Sequence, residues 1–196
     1  MKIIIVRLSA MGDIVNSAFI LQFIKEAYPE AEIDWVCEEV FAPLLDHHPL
    51  IHKVHTVNLK KIKKDKSLFL LRKTIKKLKR LDPYDVVIDL QGLIKSAIIS
   101  RYLGKKRFGF DKNSIREPLA SLFYTHKINI SYAKNSLWRT AHLVNKALDL
   151  DITADSIDQK DPILFHKQGS KSNITSLLKG KNILFVTGSS QAYKNY

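Results

Sequence analysis

The sequence predicts an α/β protein in which a parallel sheet carries helices on both faces, and three observations predict it. Strand-length apolar runs alternate with helix-period stretches along most of the chain, the pattern left by successive βαβ units. The first run, Ile3–Val6, is apolar at every position, as a strand buried on both faces must be. It passes through Ser9-Ala-Met-Gly-Asp13 directly into an amphipathic stretch. That places a short βα turn at the carboxyl edge of the sheet, where doubly wound folds build their sites.

After the first strand, Ile14–Tyr28 sets Ile14, Ala18, Leu21 and Tyr28 on one helical face. Further strand-like runs follow at Ile33–Val36, His52–Val57 and Asp85–Leu90. Between the last two, Lys60–Lys66 has no apolar periodicity and reads as a mobile basic loop. Leu68–Leu81 reads as a helix with Leu68, Leu71, Ile75 and Leu78 inward and its lysines outward. A shorter helix begins after Gly92, and another covers roughly Asn135–Leu148. From Asp149 to Asp161 the composition turns polar, with five aspartates and no large apolar cluster. This marks the end of a first domain, 1–150, and a linker over 151–169. Residues 170–196 then read as the opening of a second α/β unit, with a helix at Ser170–Leu178, a strand at Asn182–Thr187 and a Gly188-Ser-Ser loop. A strand and loop of this kind normally hand over to a helix, so the chain is expected to be a fragment or a truncated product.

With 196 residues, 45% of them hydrophobic, the chain can build one well-cored domain and part of another. The single cysteine, Cys37, excludes an internal disulfide and fits a reducing compartment. The N-terminal apolar run is too short for a signal-peptide core, and no stretch is long enough to span a bilayer. The expectation is a soluble cytoplasmic protein. Its net charge of +13 is local, because Asn58–Arg80 holds eleven Lys and Arg against Asp65 alone and so carries +10 of it. Such a segment suits an anionic partner: phosphate, nucleic acid or an acidic membrane face.

Asp13 is the first candidate for chemistry. Spacing alone makes it a helix N-cap that accepts backbone N–H bonds. The functional alternative is a carboxylate held ionised by the same helix end but aimed into a cleft, able to take a proton from a hydroxyl. Gly12 would clear side-chain bulk beside a substrate. The turn matches neither a G-x-G-x-x-G fingerprint nor a Walker motif, so neither a dinucleotide nor a P-loop phosphate is supported. In Asp89-Leu-Gln-Gly-Leu-Ile-Lys-Ser96, Asp89 can simply end a strand and Gly92 simply make a turn. The sharper reading is a phosphate or sugar contact from the helix N-terminus near Gln91 and Gly92. Aromatics are scarce in the basic tract, where only Phe69 occurs, and no helix-turn-helix or zinc pattern is present. Both points count against nucleic acid. A lysine-faced amphipathic helix suits an anionic bilayer surface instead, at about 1 kcal/mol per well-placed base. The seven histidines and Cys37 show no metal-ligand spacing.

Four blocks occur in order: Ser9–Asp13 after a strand, Asp34-Trp35-Val36 with Glu38-Glu39, Asp89-x-Gln-Gly-Leu-x-Lys-Ser96, and Arg116-Glu-Pro-Leu-Ala-Ser-Leu-Phe-Tyr124. Together they resemble the bacterial lipopolysaccharide heptosyltransferase I family, inverting glycosyltransferases of family 9 with two Rossmann-like domains (GT-B type). The resemblance runs the length of the chain, and Arg116–Tyr124 is its most specific part. It implies a Rossmann-like N-terminal acceptor domain plus the start of a nucleotide-sugar domain. It also implies transfer of L-glycero-D-manno-heptose from ADP-heptose to a Kdo residue of Kdo2-lipid A. In the family the Met-Gly-Asp aspartate is taken as the general base, here Asp13. The acceptor side would involve Ser9, Gly12, Lys60, Lys61, Lys63, Lys64 and Arg116, the last suited to a forked bond with a carboxylate. The donor side would begin with Ser189, Ser190 and Lys194, serines standing where threonines are more familiar. No cofactor is implied, since ADP-heptose is a substrate, and the expected location is peripheral at the inner face of the inner membrane. Two rivals stand beside this reading: a non-catalytic module binding anionic lipid or lipid A, and a nucleic-acid-binding protein using the lysine tract.

Overall fold

The computed structural model describes residues 1–65 and 67–161, without the side chains of Lys63, Leu68 and Leu71. The chain divides into two compact units, Met1–His166 and Lys167–Tyr196, and every described residue belongs to the first. The expected helix at Ser170–Leu178, the strand at Asn182–Thr187 and the loop after Gly188 lie outside the described residues, as do the inward positions assigned to Leu68 and Leu71.

Six strands form one parallel sheet: β1 (Lys2–Val6), β2 (Glu32–Glu38), β3 (Lys53–Val57), β4 (Val86–Asp89), β5 (Arg107–Phe110) and β6 (His126–Ile128), in the order β3-β2-β1-β4-β5-β6. The chain winds outward from β1 to β3, then crosses to β4 on the other side of β1. The strand order therefore reverses between β1 and β4, and their carboxyl ends open a crevice.

Side chains alternate along β1 and divide the core. Ile3 and Ile5 join Ile14 of α1 (Met11–Ala18), Leu21 and Ile24 of α2 (Ile20–Ala27) and Leu143 and Val144 of α6 (Ser136–Leu148). Ile4 and Val6 join Leu78 of α4 (Leu68–Lys79) and Ile99 of α5 (Ile94–Arg101) on the opposite face. All four β1 side chains are fully buried, each worth about 2 kcal/mol of transfer free energy. That double burial is why the run is apolar throughout.

Several local expectations change. The first helix starts at Met11, not Ile14, and is interrupted at Phe19, whose backbone stays right-handed helical. The basic segment is no loop: Leu59–Asp65 forms helix α3, with Asn58 Oδ1 accepting from Lys61 N at 3.0 Å and Glu38 Oε2 from Leu59 N at 3.1 Å. Two apolar residues, Leu59 and Ile62, within so short a helix leave no sustained period to detect. α6 begins at its Asn135 cap, and Asp149 ends it in the left-handed region at φ 54°. The segment read as connecting contributes helix α7 (Ala154–Asp158) and buries Ile152 and Ile157 in the first unit's core.

Candidate active site

Arg7, the residue after β1, carries a charge into the crevice. Its side chain is only 12% exposed. One guanidinium nitrogen, Nη1, donates to the carbonyl of Leu90 just past β4, while Nη2 sits 3.1 Å from Asp13 Oδ2. The remaining Nε is buried without a partner among the described residues. Burial lowers the guanidinium's affinity for its proton, and the nearby carboxylates of Asp13 and Asp89 oppose that.

Asp13 is not the N-cap of α1. That position belongs to Ala10, and Asp13 lies three residues on, where its Oδ2 accepts from Ala10 N at 3.2 Å. The helix end and Arg7 thus share one carboxylate oxygen. Oδ1 has no hydrogen-bond partner among the described residues, and the side chain is 48% exposed. Anchored through one oxygen and open through the other, Asp13 faces a cavity of about 330 Å³ lined also by Gln91, Arg116, Lys134 and Arg139. Arg7 lines it too, so four bases and one acid make the cavity strongly cationic. The Arg139 guanidinium lies over the rings of Phe110 and Tyr132, with Cζ 4.9 and 4.6 Å from their centroids, and burial pushes it below its ordinary value. Arg116 and Lys134 are exposed, with side chains that pair with no other described residue.

The β4–α5 turn braces this arrangement. Gln91 Oε1 accepts from both Leu8 N (2.8 Å) and Ser9 N (3.1 Å), tying the turn to the loop that leads to Asp13. Asp89 is fully buried and accepts from Gln91 N, Gly92 N and the Tyr124 hydroxyl at 2.9, 3.3 and 2.8 Å. Burial pushes its carboxyl above the ordinary range against those donors. Gly92 is required here: its φ is +67°, and a Cβ would lie 2.7 Å from Ile115. Gly109 admits the Tyr124 ring, which a Cβ would meet at 2.4 Å. The start of α5 is also occupied, since Glu117 Oε2 accepts from Ile94 N at 2.7 Å and Ser96 Oγ from Leu93 N at 3.2 Å. Backbone N–H groups of this turn and of the first residue of α5 therefore already have acceptors within the protein, while the Gln91 side chain lines the cavity.

Of the other candidates, Ser9 is half-buried beside Gln91, and Gly12 is exposed with nothing within 4 Å of where a Cβ would stand. Lys60, Lys61 and Lys64 do not line the cavity. Lys60 is exposed with Nζ 5.9 Å over the Phe41 ring, Lys64 is exposed, and Lys61 lines a second hollow beside α4. The Lys63 side chain and Ser189, Ser190 and Lys194 lie outside what is described. Arg7, Lys134 and Arg139 are the cavity residues that sequence reasoning misses. Only Arg7 left a signal, a charge directly after a fully buried strand. No cluster of three metal-ligating side chains occurs among the described residues.

A family model described as glycosyltransferase family 9 (heptosyltransferase) matches residues 71–196. The chain belongs to glycosyltransferase family 9. A lipopolysaccharide heptosyltransferase 1 of Campylobacter coli is 43% identical over 205 residues, covering 100% of this family 9 chain and 57% of the relative. The Pseudomonas aeruginosa protein of the same name is 37% identical over 154 residues, covering 76% of this chain and 43% of its own. The solved Escherichia coli heptosyltransferase WaaC with ADP-2-deoxy-2-fluoro heptose has a TM-score of 0.73 at 33% identity, covering 79% of this chain and 50% of that one. The chain spans about half the length of these relatives. The parallel sheet with helices on both faces is thus the GT-B-type architecture that the resemblance implied, and the family is one of glycosyltransferases.

Proposed function

We propose that this chain is the acceptor-binding part of an inverting heptosyltransferase of lipopolysaccharide inner-core synthesis, acting at the cytoplasmic face of the inner membrane. The donor is ADP-L-glycero-D-manno-heptose and the acceptor a Kdo hydroxyl of Kdo2-lipid A. One observation carries this reading: a carboxylate held through Oδ2 by Arg7 and Ala10 N, its Oδ1 without a partner among the described residues, lines a cavity that holds four bases. The relatives' names, and the nucleotide-sugar analogue with which WaaC was solved, support the substrate classes.

In this reading Asp13 Oδ1 accepts the proton of the acceptor hydroxyl as that oxygen bonds to the anomeric carbon. The bond from that carbon to the ADP oxygen breaks on the opposite face, and ADP departs with the electron pair. Arg116, Lys134 and Arg139 hold the acceptor's carboxylates by charge-assisted bonds. Lys60, Lys61, Lys63 and Lys64 meet the more distant anionic groups of the acceptor, and Ser189, Ser190 and Lys194 begin the donor site. A positioned base contributes about a hundred- to ten-thousand-fold in rate.

The test supplies ADP-heptose and Kdo2-lipid A to a full-length parent enzyme that carries this chain together with a complete donor domain, following acceptor binding and product separately. Transfer that falls at least about a hundredfold in Asp13→Asn, with acceptor affinity kept, is the expected result. Transfer by that variant at the parent rate would leave Asp13 a mere helix anchor. Acceptor binding with no product from that full-length parent would make the chain a lipid A-binding module.

A further inference from the structure

A hollow larger than the Asp13 cavity lies away from it. It has a volume of about 670 Å³ and sits at the outer edge strand β3, two strands from β1, sharing no lining residue with the Asp13 cavity. Its wall is one flank of α4, from which Lys73, Lys76, Lys77 and Arg80 project, and Lys61 of α3 adds a fifth base. Glu39 is the lone acid, and it accepts from Asn58 Nδ2 at 2.9 Å. Lys77 Nζ donates to the Thr56 carbonyl at 3.1 Å. None of the five bases forms an ion pair among the described residues. An ordinary solvated helix face interleaves its lysines with carboxylates at neighbouring turns. Here the like charges are concentrated and uncompensated, which favours an external anion.

Two apolar features accompany the charge. A slot of about 150 Å³ between α4 and α5, lined by Ile75, Leu78, Ile98 and Tyr102 among others, shares Thr74 with the hollow. Phe69, in the first turn of α4, is 74% exposed. A basic hollow beside an apolar slot and a projecting aromatic ring matches an amphiphile with a phosphate head better than a free anion. A nucleic acid would call for more stacking rings than Phe69.

We infer that the hollow beside α4 binds the phosphate head groups of anionic phospholipids, so that this flank of the molecule lies on the bilayer. This deepens the membrane-face part of the proposed function and rests on it. It assigns the contact to residues outside the Asp13 cavity.

The experiment is co-sedimentation of the chain with phosphatidylglycerol vesicles and with phosphatidylcholine vesicles, neither containing acceptor. The expected result is binding to the former alone, weakening with salt. The combined variant K73Q, K76Q, K77Q and R80Q, checked for an unchanged thermal midpoint, should lose on the order of several hundredfold in vesicle affinity, since each of the four well-placed bases contributes about fivefold. Arg116→Gln in the Asp13 cavity should bind vesicles as the parent does, so this test is independent of transfer. Phe69→Trp supplies a readout that keeps every charge: its emission should move to shorter wavelength with phosphatidylglycerol vesicles only. Parent-like vesicle binding by the combined variant would overturn the assignment. So would displacement from vesicles by millimolar inorganic phosphate, which would mark a free-phosphate site, or tight salt-sensitive RNA binding that the same variant abolishes.

Discussion

Replacing Gln91 with Leu tests whether the loop carrying Asp13 is held from β4. The substitution keeps the bulk but leaves Leu8 N and Ser9 N without the oxygen they share at 2.8 and 3.1 Å. Leu8 is fully buried and Ser9 half-buried. A buried donor without an acceptor costs about 1–3 kcal/mol, so roughly 2 for Leu8 and 1 for the wetter Ser9 gives about 3 kcal/mol. At about 2–4 °C per kcal/mol for a domain of this size, the thermal midpoint should fall by about 6–12 °C. Asp13 sits four residues beyond Ser9, and displacement of a catalytic group by about 1 Å costs on the order of a hundredfold. Transfer should therefore fall at least about tenfold at saturating acceptor.

Gln91→Glu separates the acceptor oxygen from the side chain's shape. It keeps an oxygen where Oε1 stands and adds a charge near Arg7, so it should lose less than half of what Leu loses in both readouts. Calorimetry of the two variants, followed by transfer assays with Kdo2-lipid A, decides the matter. A Leu variant melting within about 1 °C of the parent would refute the brace, because at least one bond's worth of stability must disappear with the oxygen. A Glu variant as unstable as Leu would show that packing, not acceptance, matters at this position.

The remaining predictions concern acid stability and the open space at Gly12. Asp34 is buried, which raises its carboxyl, yet bonds from His55 (2.7 Å), Tyr84 and His52 (2.9 Å) hold it down at about 2. The folded value lies below the ordinary one of 3.8. This contribution of about 2 kcal/mol is therefore complete above about pH 4 and lost as the pH falls toward 2. Unfolding measured across that window should show a flatter acid limb in Asp34→Asn; an unchanged limb would remove Asp34 from the acid response. Gly12→Ala, inside α1 with open space at its Cβ, should gain about 0.5–1 kcal/mol in stability. Acceptor binding should weaken at the same time if the acceptor reaches the turn, and unimpaired binding would place Gly12 outside the site.

The sequence made β1 to β4 legible for a physical reason: each is buried on at least one face and carries an unbroken or alternating apolar run. β5 and β6 escaped because they are four and three residues long and include Arg107, Gly109, His126 and Lys127. Their apolar content, Phe108, Phe110 and Ile128, is too brief for a period. The site divides in the same way. Asp13 was readable from its place in the first βα turn. Lys134 and Arg139 stand more than a hundred residues along the chain, on a polar turn and on a flank of α6 that packs over Phe110, and only the sheet's strand order brings them beside Asp13. Within the basic tract α4 was legible from its apolar stripe, whereas α3 was legible only as charge, because its start rests on acceptors from Asn58 and Glu38 rather than on a sustained apolar period.

The four bases in the cavity differ in what remains free for a ligand. Arg7 spends Nη1 on Leu90 and Nη2 on Asp13, so it is a strut between the end of β4 and the start of α1. Arg139 gives one nitrogen to the Ser114 carbonyl and lies over two rings, which restrains it while its other donors remain for a ligand in the cavity it lines. Arg116 and Lys134 are exposed, with head groups that no described partner engages. An incoming polyanion therefore meets mobile charge first, then a planar donor already oriented, and last a carboxylate whose position the strut has set. Removing the outer bases should weaken capture and leave the geometry of Asp13 intact. Removing the strut should spare capture and misplace the base. This split follows from where each guanidinium has already spent its donors.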